Sequence, residues 1–351
     1  VERRDERLPV RQADDGCVVA RVGGHEHVGL QLGERKGPKD RLEIRRPELA
    51  PAPRPVAEAR EPSLLHRFED ATLPWMRTAV VGHTEWIEFG NVEAVPGAGD
   101  IVHATDAWEE PGGGGAVAAV QLARLAGSCT FYTAFGGDEH GEWSRRRLEG
   151  LGVRVEAAIR DEPTRRAVVF VDANGERTIT TLGRRLEPTA ADRLPWNELE
   201  GVDAVYVTAG DPGALREARS ARVLVATSRI ADLLAKVDLY LDAVVGSAVD
   251  PAEAFDPDAF VVPPHLVVRT RSVRGGRYET SDGRAGTYEA VTTPGPVIDT
   301  YGAGDSFAAG LTFALGAGME IEEALAIAAR CGAWCAAGRG PYGNQLTATD
   351  L

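Results

Sequence analysis

Short apolar runs alternate with amphipathic stretches along the chain from Met76 onward. The runs are continuously apolar, which is typical of strands buried on both faces of a parallel sheet. They predict strands at 78–81, 129–134, 204–208, 222–226, 243–245 and 265–269. Apolar residues one helical turn apart predict helices at 115–125, 142–151, 305–315 and 321–337. This order predicts an α/β fold with a doubly wound, mostly parallel sheet flanked by helices.

Two other segments predict a small accessory β element. Residues 167–171 and 177–181 flank the sequence Asp-Ala-Asn-Gly, which is a hairpin turn signal. A second stretch with β character covers 85–105. We expect these parts of the chain, near 85–105 and 160–185, to form a small β lid over the crevice of the main sheet.

Residues 1–75 differ from the remainder, which we expect to be a single domain over 76–351. They are charged and proline-rich, and they lack sustained helical or strand periodicity. Such a segment cannot bury enough apolar surface to offset the entropy of ordering it. Two interpretations stay open: a disordered tail, or an over-extended reading frame ahead of a native start at Met76.

Charge and composition exclude several classes of function. Residues 1–75 contain 14 basic and 14 acidic residues, so the net charge of −14 belongs to the remainder. A body this acidic repels nucleic acid and anionic membranes, and no apolar run is long enough for a membrane span. The four cysteines form no paired framework, which favours a reduced, cytoplasmic setting.

The run Asp299-Thr-Tyr-Gly-Ala-Gly-Asp305 precedes the predicted helix at 305–315 and carries the clearest chemistry. Unpaired backbone amides and the dipole at a helix start suit an anion. The Asp305 carboxylate beside them can accept a proton from a hydroxyl group. An anion cradle with an adjacent base is what phosphoryl transfer to an alcohol requires.

The same tetrapeptide at 97–100 is an internal comparison. It is followed at 101–104 by residues of strand character, with no amphipathic helix behind them. The tetrapeptide therefore predicts only a turn there, and an anion site requires the helix that follows the second copy.

Several motifs in the same order resemble the PfkB/ribokinase family of carbohydrate and nucleoside kinases. They are the glycine run at 112–115 with the helix behind it, Phe135-Gly-Gly-Asp-Glu-His-Gly141, Pro163-Thr164, Asp172-Ala-Asn-Gly-Glu-Arg177, and the run that ends at Asp305. Together they extend from Met76 to about Leu346. The resemblance implies a ribokinase-like fold and an ATP-dependent kinase for a sugar-like hydroxyl. A dimer formed through the lid is also implied.

The resemblance implies roles at the phosphoryl-transfer end. Asp305 would be the general base, and the amides of Gly302, Ala303 and Gly304 would form the anion hole. Thr300 would contact the nucleotide, and Asp299 would hold a monovalent cation such as K⁺. Mg²⁺ would bridge the phosphates. No Walker A sequence occurs, so a P-loop mechanism is excluded.

Toward the nucleotide, this chain departs from the family pattern. The family's Thr-x-Gly-x-x-Gly corresponds to Thr270 through Gly275, with Ser272 in place of a glycine. The resemblance also assigns Gly340 and Gly343 to the wall of the adenine pocket. The family's Asn-x-x-Glu, which organises magnesium, corresponds to Ser247-Ala-Val-Asp250, so that Asp250 is the weak metal candidate.

The part that reads the acceptor differs more. Gly113 and Gly114 keep the glycine helix start, but Val117 replaces the usual asparagine. The acid after the first strand corresponds to Ile87 or Glu88, and Arg166 in the lid is a candidate phosphate contact. His83 is interpreted as a hydrogen-bonded rim residue. Three functions stay open: a kinase for a sugar-like substrate, a non-catalytic sugar or nucleotide sensor, and a nucleoside or vitamin-precursor kinase.

Overall fold

The structure is a computed structural model that describes residues 76–351. The predictions for residues 1–75 lie outside the described residues. The strands are β1 (Thr78–Val81), β2 (Glu85–Asn91), β3 (Asp106–Gly112), β4 (Cys129–Gly136), β5 (Val153–Arg160), β6 (Arg166–Val171), β7 (Arg177–Leu182), β8 (Ala204–Val207), β9 (Val223–Thr227), β10 (Ala243–Ser247), β11 (Leu266–Thr270), β12 (Gly276–Thr280) and β13 (Ala285–Tyr288). The helices are α1 (Gly114–Ala126), α2 (Glu139–Gly150), α3 (Pro212–Ala218), α4 (Ala231–Leu234), α5 (Ala303–Gly316) and α6 (Ile321–Ala336).

Nine strands form the large sheet in the order β13-β12-β11-β10-β9-β8-β1-β4-β5. The pairs from β11 to β5 are parallel, whereas β12 and β13 add an antiparallel hairpin at one edge. This confirms the predicted doubly wound, mostly parallel sheet. All six strands predicted for it form, with ends shifted by a residue or two.

Both faces of the large sheet are covered, which explains why its strands are continuously apolar. In β1, Val80 packs into a cluster with residues of α1, α5 and α6. The next residue, Val81, points to the opposite face and packs with residues of α3 and α4. Every residue of β1 and β8 is buried.

Three strands of the large sheet, β5, β12 and β13, were not predicted. They lie toward its two edges, and exposed or partly buried residues interrupt the buried ones in β5 and β12, while β13 has no buried residue. Charged and polar residues interrupt the apolar ones, so none of these strands is a continuous apolar run. Edge strands need only one buried face, so their sequences carry a weaker signal.

The small sheet has the order β3-β2-β6-β7. Strands β6 and β7 form the predicted hairpin, and β2 lies within the predicted 85–105 region. The strand character assigned to 101–104 was wrong. Those residues form no strand, Ile101 is 87% exposed, and the partner strand β3 begins later, at Asp106.

One face of the small sheet packs on the apolar core. Ile87 and Phe89 of β2 and Val169 of β6 are buried there. Strand β7 is exposed along its whole length. No helix in residues 76–351 has the length and apolarity needed to cross a membrane.

Candidate active site

The carboxyl ends of β1 and β8 meet the starts of α1 and α5 at one edge of the large sheet. Gly82, directly after β1, has no room for a side chain, because a Cβ there would lie 2.1 Å from Thr208 Oγ1. Gly115 of α1 is equally close, since a Cβ there would lie 2.6 Å from the His83 carbonyl oxygen. These glycines let the chain segments approach each other and bring both helix starts to the same crevice.

The start of α5 is the segment for which the sequence predicts an anion cradle. Gly302 precedes the helix with φ 81°, and no side chain caps the first-turn amides. A Cβ at Gly302 would lie 2.9 Å from Val117 Cγ1 and 3.1 Å from Pro341 Cβ, so glycine is required there. At Gly304 a Cβ would meet nothing within 4 Å. The α-carbon of Gly304 therefore borders open space, whereas the Ala303 amide already donates a hydrogen bond of 3.4 Å to the Thr300 carbonyl oxygen.

Asp305 lies in the first turn of α5 and faces α1. A Cβ at Gly114 would lie 2.7 Å from Asp305 Oδ1, so the carboxylate rests against the glycine helix start. Within residues 76–351, no side chain donates a hydrogen bond to the Asp305 carboxylate. Burial raises the pKa of Asp305 to about 6, opposed by the charges of Arg229 and Arg177.

Tyr301 fills part of the space between the two helix starts. Its hydroxyl oxygen accepts a hydrogen bond of 2.8 Å from the Gly113 amide, and its ring meets Phe89 edge-on. Gly113 therefore already has a partner within the chain. Val117 is fully buried beneath Gly302, so its side chain does not reach the open crevice.

A buried cluster of charged and polar side chains lies near the start of α1. Glu85 Oε1 is 3.3 Å from Arg165 Nη1 and 3.7 Å from His83 Nε2. In residues 76–351, His83 Nδ1 and Arg165 Nε are buried without a hydrogen-bond partner. Burial, with nearby arginines, lowers the pKa of His83 to about 3, so its ring is neutral at physiological pH. Burial also raises the pKa of Glu85.

Glu88 and Arg166 are not brought to this crevice. They form an ion pair with each other, and both side chains are about two-fifths exposed. Side chains alternate along a strand, so Glu88 lies on the face of β2 opposite Ile87 and Phe89. Phe89 is the residue that contacts Tyr301, and the face with Glu88 therefore points away from it.

The predicted nucleotide segment lies at the end of β11. Ser272 has φ 54°, the left-handed conformation that glycine adopts without strain. Gly275 has φ 68°, and a Cβ there would lie 2.0 Å from the Tyr288 carbonyl oxygen. Ser272 thus has a backbone conformation that favours glycine, at the position where the resemblance expects one.

Asp299 connects the anion-hole segment with the chain after α6. Its Oδ1 accepts a hydrogen bond from the Tyr301 amide and its Oδ2 one from the Gly340 amide. A Cβ at Gly340 would lie 3.2 Å from Trp108 Nε1 of the small sheet, and one at Gly343 would lie 2.6 Å from the Arg339 carbonyl oxygen. These contacts place Gly340 beside Asp299 and β3, and Gly343 against the backbone of Arg339.

Asp250 is held by Arg229 rather than left free. Arg229 Nη2 is 2.7 Å from Asp250 Oδ2 and 2.7 Å from Glu253 Oε1. Glu253 Oε2 also accepts a hydrogen bond of 2.6 Å from the Ser247 amide. No group of three or more His, Cys, Asp or Glu side chains in residues 76–351 is arranged to hold a metal by itself.

Sequence comparison identifies the class of protein that has this fold and this crevice. The model of the pfkB family of carbohydrate kinases matches residues 77–265 and 261–348. The protein is thus a carbohydrate kinase by class, a phosphotransferase with an alcohol group as acceptor. The chain belongs to the pfkB family.

Three relatives illustrate the match. A ribokinase from Dictyostelium discoideum is 30% identical over 106 residues, which is 30% of this chain and 33% of that protein. An ATP-dependent ribose-1-phosphate kinase from Halopiger xanaduensis is 26% identical over 285 residues, covering 76% of this chain and 93% of its own. The structure of Arabidopsis thaliana ribokinase with ribose and ATP has a TM-score of 0.61 at 20% identity, covering 78% and 97% of the two chains. At that identity, the third match shows the fold alone.

Several residues of the site were missed in the sequence. Glu85 could have been found, because it shares the strand face of Ile87 and Phe89 by simple alternation. Arg229 and Glu253 carry no local signal, since only the fold brings them together. Tyr301 lies within the recognised motif, but its contact with Gly113 spans 188 residues of sequence.

Proposed function

We propose that this protein transfers the γ-phosphoryl group of ATP to a hydroxyl group of a small sugar-like molecule. One observation carries the proposal: the Asp305 carboxylate has a pKa of about 6 and lies in the first turn of α5, where Gly304 borders open space. A base with a pKa near neutrality is ionised at physiological pH and is still able to take a proton. ATP as donor is supported by the kinases that the chain resembles.

In this mechanism the chain positions groups and moves one proton. The acceptor hydroxyl lies against Asp305, which removes its proton as the oxygen attacks the γ-phosphorus. The amides of Gly302, Ala303 and Gly304 donate to the phosphoryl oxygens as negative charge gathers on them. Thr270, Ser272 and Gly275 would line the nucleotide end, with Gly340 and Gly343 as further candidates for its wall.

The residues present fit magnesium only as an ion held mainly by the nucleotide. Magnesium usually keeps few protein ligands and bridges phosphate oxygens, where it supplies positive charge. Asp250 is the residue that would reach it, and it would have to exchange its contact with Arg229 for that role.

A monovalent cation such as K⁺ at Asp299 is a separate proposal. Replacing potassium by tetramethylammonium and measuring turnover tests it, and unchanged turnover would contradict it.

The acceptor would be read by Glu85, Arg165 and His83. His83 Nδ1 and Arg165 Nε are buried without a hydrogen-bond partner within residues 76–351, and both residues lie next to Glu85, which supports a ligand with several hydroxyl groups. We expect Glu85→Gln to raise the KM for the acceptor by about tenfold, the effect of losing one charged hydrogen bond. Glu88→Gln is the matched control on the opposite face of β2, and an equal effect in both variants would contradict this assignment.

An acceptor-library assay tests the activity itself. The wild-type protein is expected to consume ATP, with transfer of the γ-phosphoryl group, only when the right acceptor is present. Asp305→Asn should lower kcat by a factor on the order of 10²–10⁴, the usual contribution of a general base. Equal turnover in both proteins would rule out Asp305 as the base. The library also separates a sugar from a nucleoside or vitamin-precursor acceptor.

A non-catalytic sensor is the second candidate. It is favoured by Tyr301, which occupies the Gly113 amide, and by Arg229, which occupies both nearby acids. Saturable binding of a sugar or nucleotide by calorimetry, with no turnover for any acceptor, would support the sensor over the kinase.

We also propose that the small sheet is a lid and forms a dimer contact. Its edge strand β7 is fully exposed and includes Ile179 and Leu182, which are 43% and 42% exposed. An exposed strand with apolar side chains is open to pairing with another copy. Sedimentation should detect a dimer that Ile179→Lys weakens.

We also propose that the protein is cytoplasmic, because Cys129, Cys331 and Cys335 are free thiols.

A further inference from the structure

Arg165, which directly precedes β6, is a largely buried arginine whose donors are mostly unused. Its side chain is 19% exposed, and its Nη1 forms an ion pair with Glu85 Oε1 at 3.3 Å. Within residues 76–351, its Nε is buried without a hydrogen-bond partner. Because a guanidinium has five N–H donors and buried donors are normally paired, Arg165 is suited to a ligand that supplies further acceptor atoms.

Arg185, which follows β7, approaches the same cluster of side chains. Strand β7 is antiparallel to β6, and Leu182 at its end pairs with Arg166 at the start of β6. The residues after Leu182 therefore pass close to the residue before Arg166, which is Arg165. The charges of Arg165 and Arg185 both oppose the effect of burial on the pKa of Glu85. We call Arg165 and Arg185 the arginine pair.

The chain itself gives Arg185 little to bind. Its Nη2 lies 3.7 Å from Glu187 Oε2, and both side chains are more than one third exposed. By contrast, Arg160 at the end of β5 donates two hydrogen bonds to Asp192, at 2.6 and 2.7 Å. A long, exposed ion pair contributes little, so Arg185 can exchange Glu187 for another anion at small cost.

The arginine pair lies near the helix start against which Asp305 rests. Glu85 pairs with Gly112 in the small sheet, directly before the glycine start of α1. The charge of Glu85 raises the pKa of Asp305, so the two acids lie within electrostatic reach of each other. The arginines that lower the pKa of Asp305 are two others, Arg229 and Arg177. A small molecule can therefore hold one group at the arginine pair and another at Asp305.

We propose that the acceptor carries an anionic group, a carboxylate or a phosphate, that binds the arginine pair while an acceptor hydroxyl lies against Asp305. The inference rests on the proposed kinase function and names the class of its substrate. Both anions match the planar guanidinium fork, which binds them through charged hydrogen bonds. The anionic group takes no part in the transfer, and the hydroxyl groups of the acceptor are left to Glu85 and His83. Since the chain carries a net charge of −14, an anionic acceptor needs such a local positive site.

Acceptors in matched pairs test the charge requirement. The panel combines sugar acids and sugar phosphates with the neutral sugar of the same carbon skeleton, such as gluconate with glucose and ribose 1-phosphate with ribose. ATP consumption is measured for each member at low and high ionic strength. We expect a charged acceptor to exceed its neutral counterpart in kcat/KM by about 10–100-fold, the effect of one charged hydrogen bond, and to lose part of this advantage in high salt. The class that responds, acids or phosphates, identifies the anion.

Arg185→Ala is the decisive variant, because it leaves the ion pair between Glu85 and Arg165 in place. It should lower kcat/KM for the charged acceptor by about tenfold and change that for the neutral counterpart by less than about twofold. Arg165→Lys keeps the charge that the buried Glu85 needs but loses the planar fork, so it should also reduce the preference. Arg184→Ala is the matched control, since the Arg184 side chain is 80% exposed beside Glu162, and it should retain the wild-type preference.

Equal turnover of charged and neutral acceptors, or a preference for the neutral ones, would overturn the inference while leaving the kinase function intact. An equal loss for both members of a pair in Arg185→Ala would also overturn it, since that would assign Arg185 a general structural role. A protein that phosphorylates no acceptor of the panel, charged or neutral, would remove the kinase function and the inference with it.

Discussion

The carboxylate of Asp305 is held where its charge is poorly solvated, which couples its ionisation to stability. Folding raises its pKa from 3.8 to about 6, so the folded state holds this proton more tightly than the unfolded state. The resulting cost is absent below about pH 4, grows as the pH rises, and is complete above about pH 6. The same desolvation that costs stability makes the carboxylate a stronger base.

We therefore expect Asp305→Asn to be more stable than the wild type at pH 8 and to lose that advantage toward pH 4. The gain at pH 8 should be about 1–3 kcal/mol, because a neutral amide bears no charge that needs water. Urea unfolding at several pH values measures it. Asp258→Asn, at an exposed position, is the control for loss of one charge. A gain that does not change with pH would contradict the explanation.

Ser272 carries backbone strain of a different kind. Its φ of 54° places Cβ close to the following carbonyl group, which costs a non-glycine residue about 1–2 kcal/mol. We expect Ser272→Gly to unfold at higher urea concentration than Ser272→Ala, with a difference of about 1 kcal/mol, since only glycine relieves the clash. Equal stability of the two variants would show that the strain is not there.

At the scale of elements, the start of α5 gives a matched pair of glycines. At Gly302 the positive φ and the close approach of Val117 both exclude a side chain, whereas Gly304 faces open space. Gly302→Ala should therefore lower the free energy of unfolding by several kcal/mol, as strain and overpacking add. Gly304→Ala should fold as well as the wild type or better, because alanine favours a helix by about 1 kcal/mol.

In Gly304→Ala, activity should fall although the protein stays stable. A methyl group at 304 enters the space that the phosphoryl group would occupy, so kcat/KM should fall by about tenfold or more in a well-folded protein. Thermal unfolding and steady-state kinetics on the same samples decide this. A fully active Gly304→Ala would show that the first-turn amides do not contact the phosphoryl group.

At the scale of the whole molecule, the chain segment that follows α6 contacts strand β3 of the small sheet. Arg339 pairs with Asp106 and stacks over the Trp108 ring at 3.8 Å, and the Tyr342 hydroxyl donates to the Pro111 carbonyl oxygen. We expect Arg339→Ala to speed amide hydrogen exchange in β3 while leaving β1 and β8 protected, because local opening follows local contacts. Faster exchange throughout the large sheet would instead indicate global destabilisation.

The buried strands and the helix start at Gly302 were predictable because each is dictated by nearby sequence. The run at 78–81 is apolar since both its faces are covered, and the glycines before Asp305 are fixed by one turn of backbone. Contacts such as Tyr301 with Gly113 or Arg229 with Glu253 depend on which strands are neighbours. Periodicity reports the faces of an element but not its partners, so this part of the site had to come from the fold.

The unpartnered atoms around Glu85 have a consequence for discrimination among similar ligands. A buried polar group that stays unpaired costs about 1–3 kcal/mol, and His83 Nδ1 and Arg165 Nε both lie buried without partners within residues 76–351. A molecule that fills the space but lacks matching polar atoms leaves that cost in place. If the acceptor binds at these atoms as proposed, rejection of analogues that lack a hydroxyl group would need no steric barrier, since each missing group would leave one buried atom unpaired.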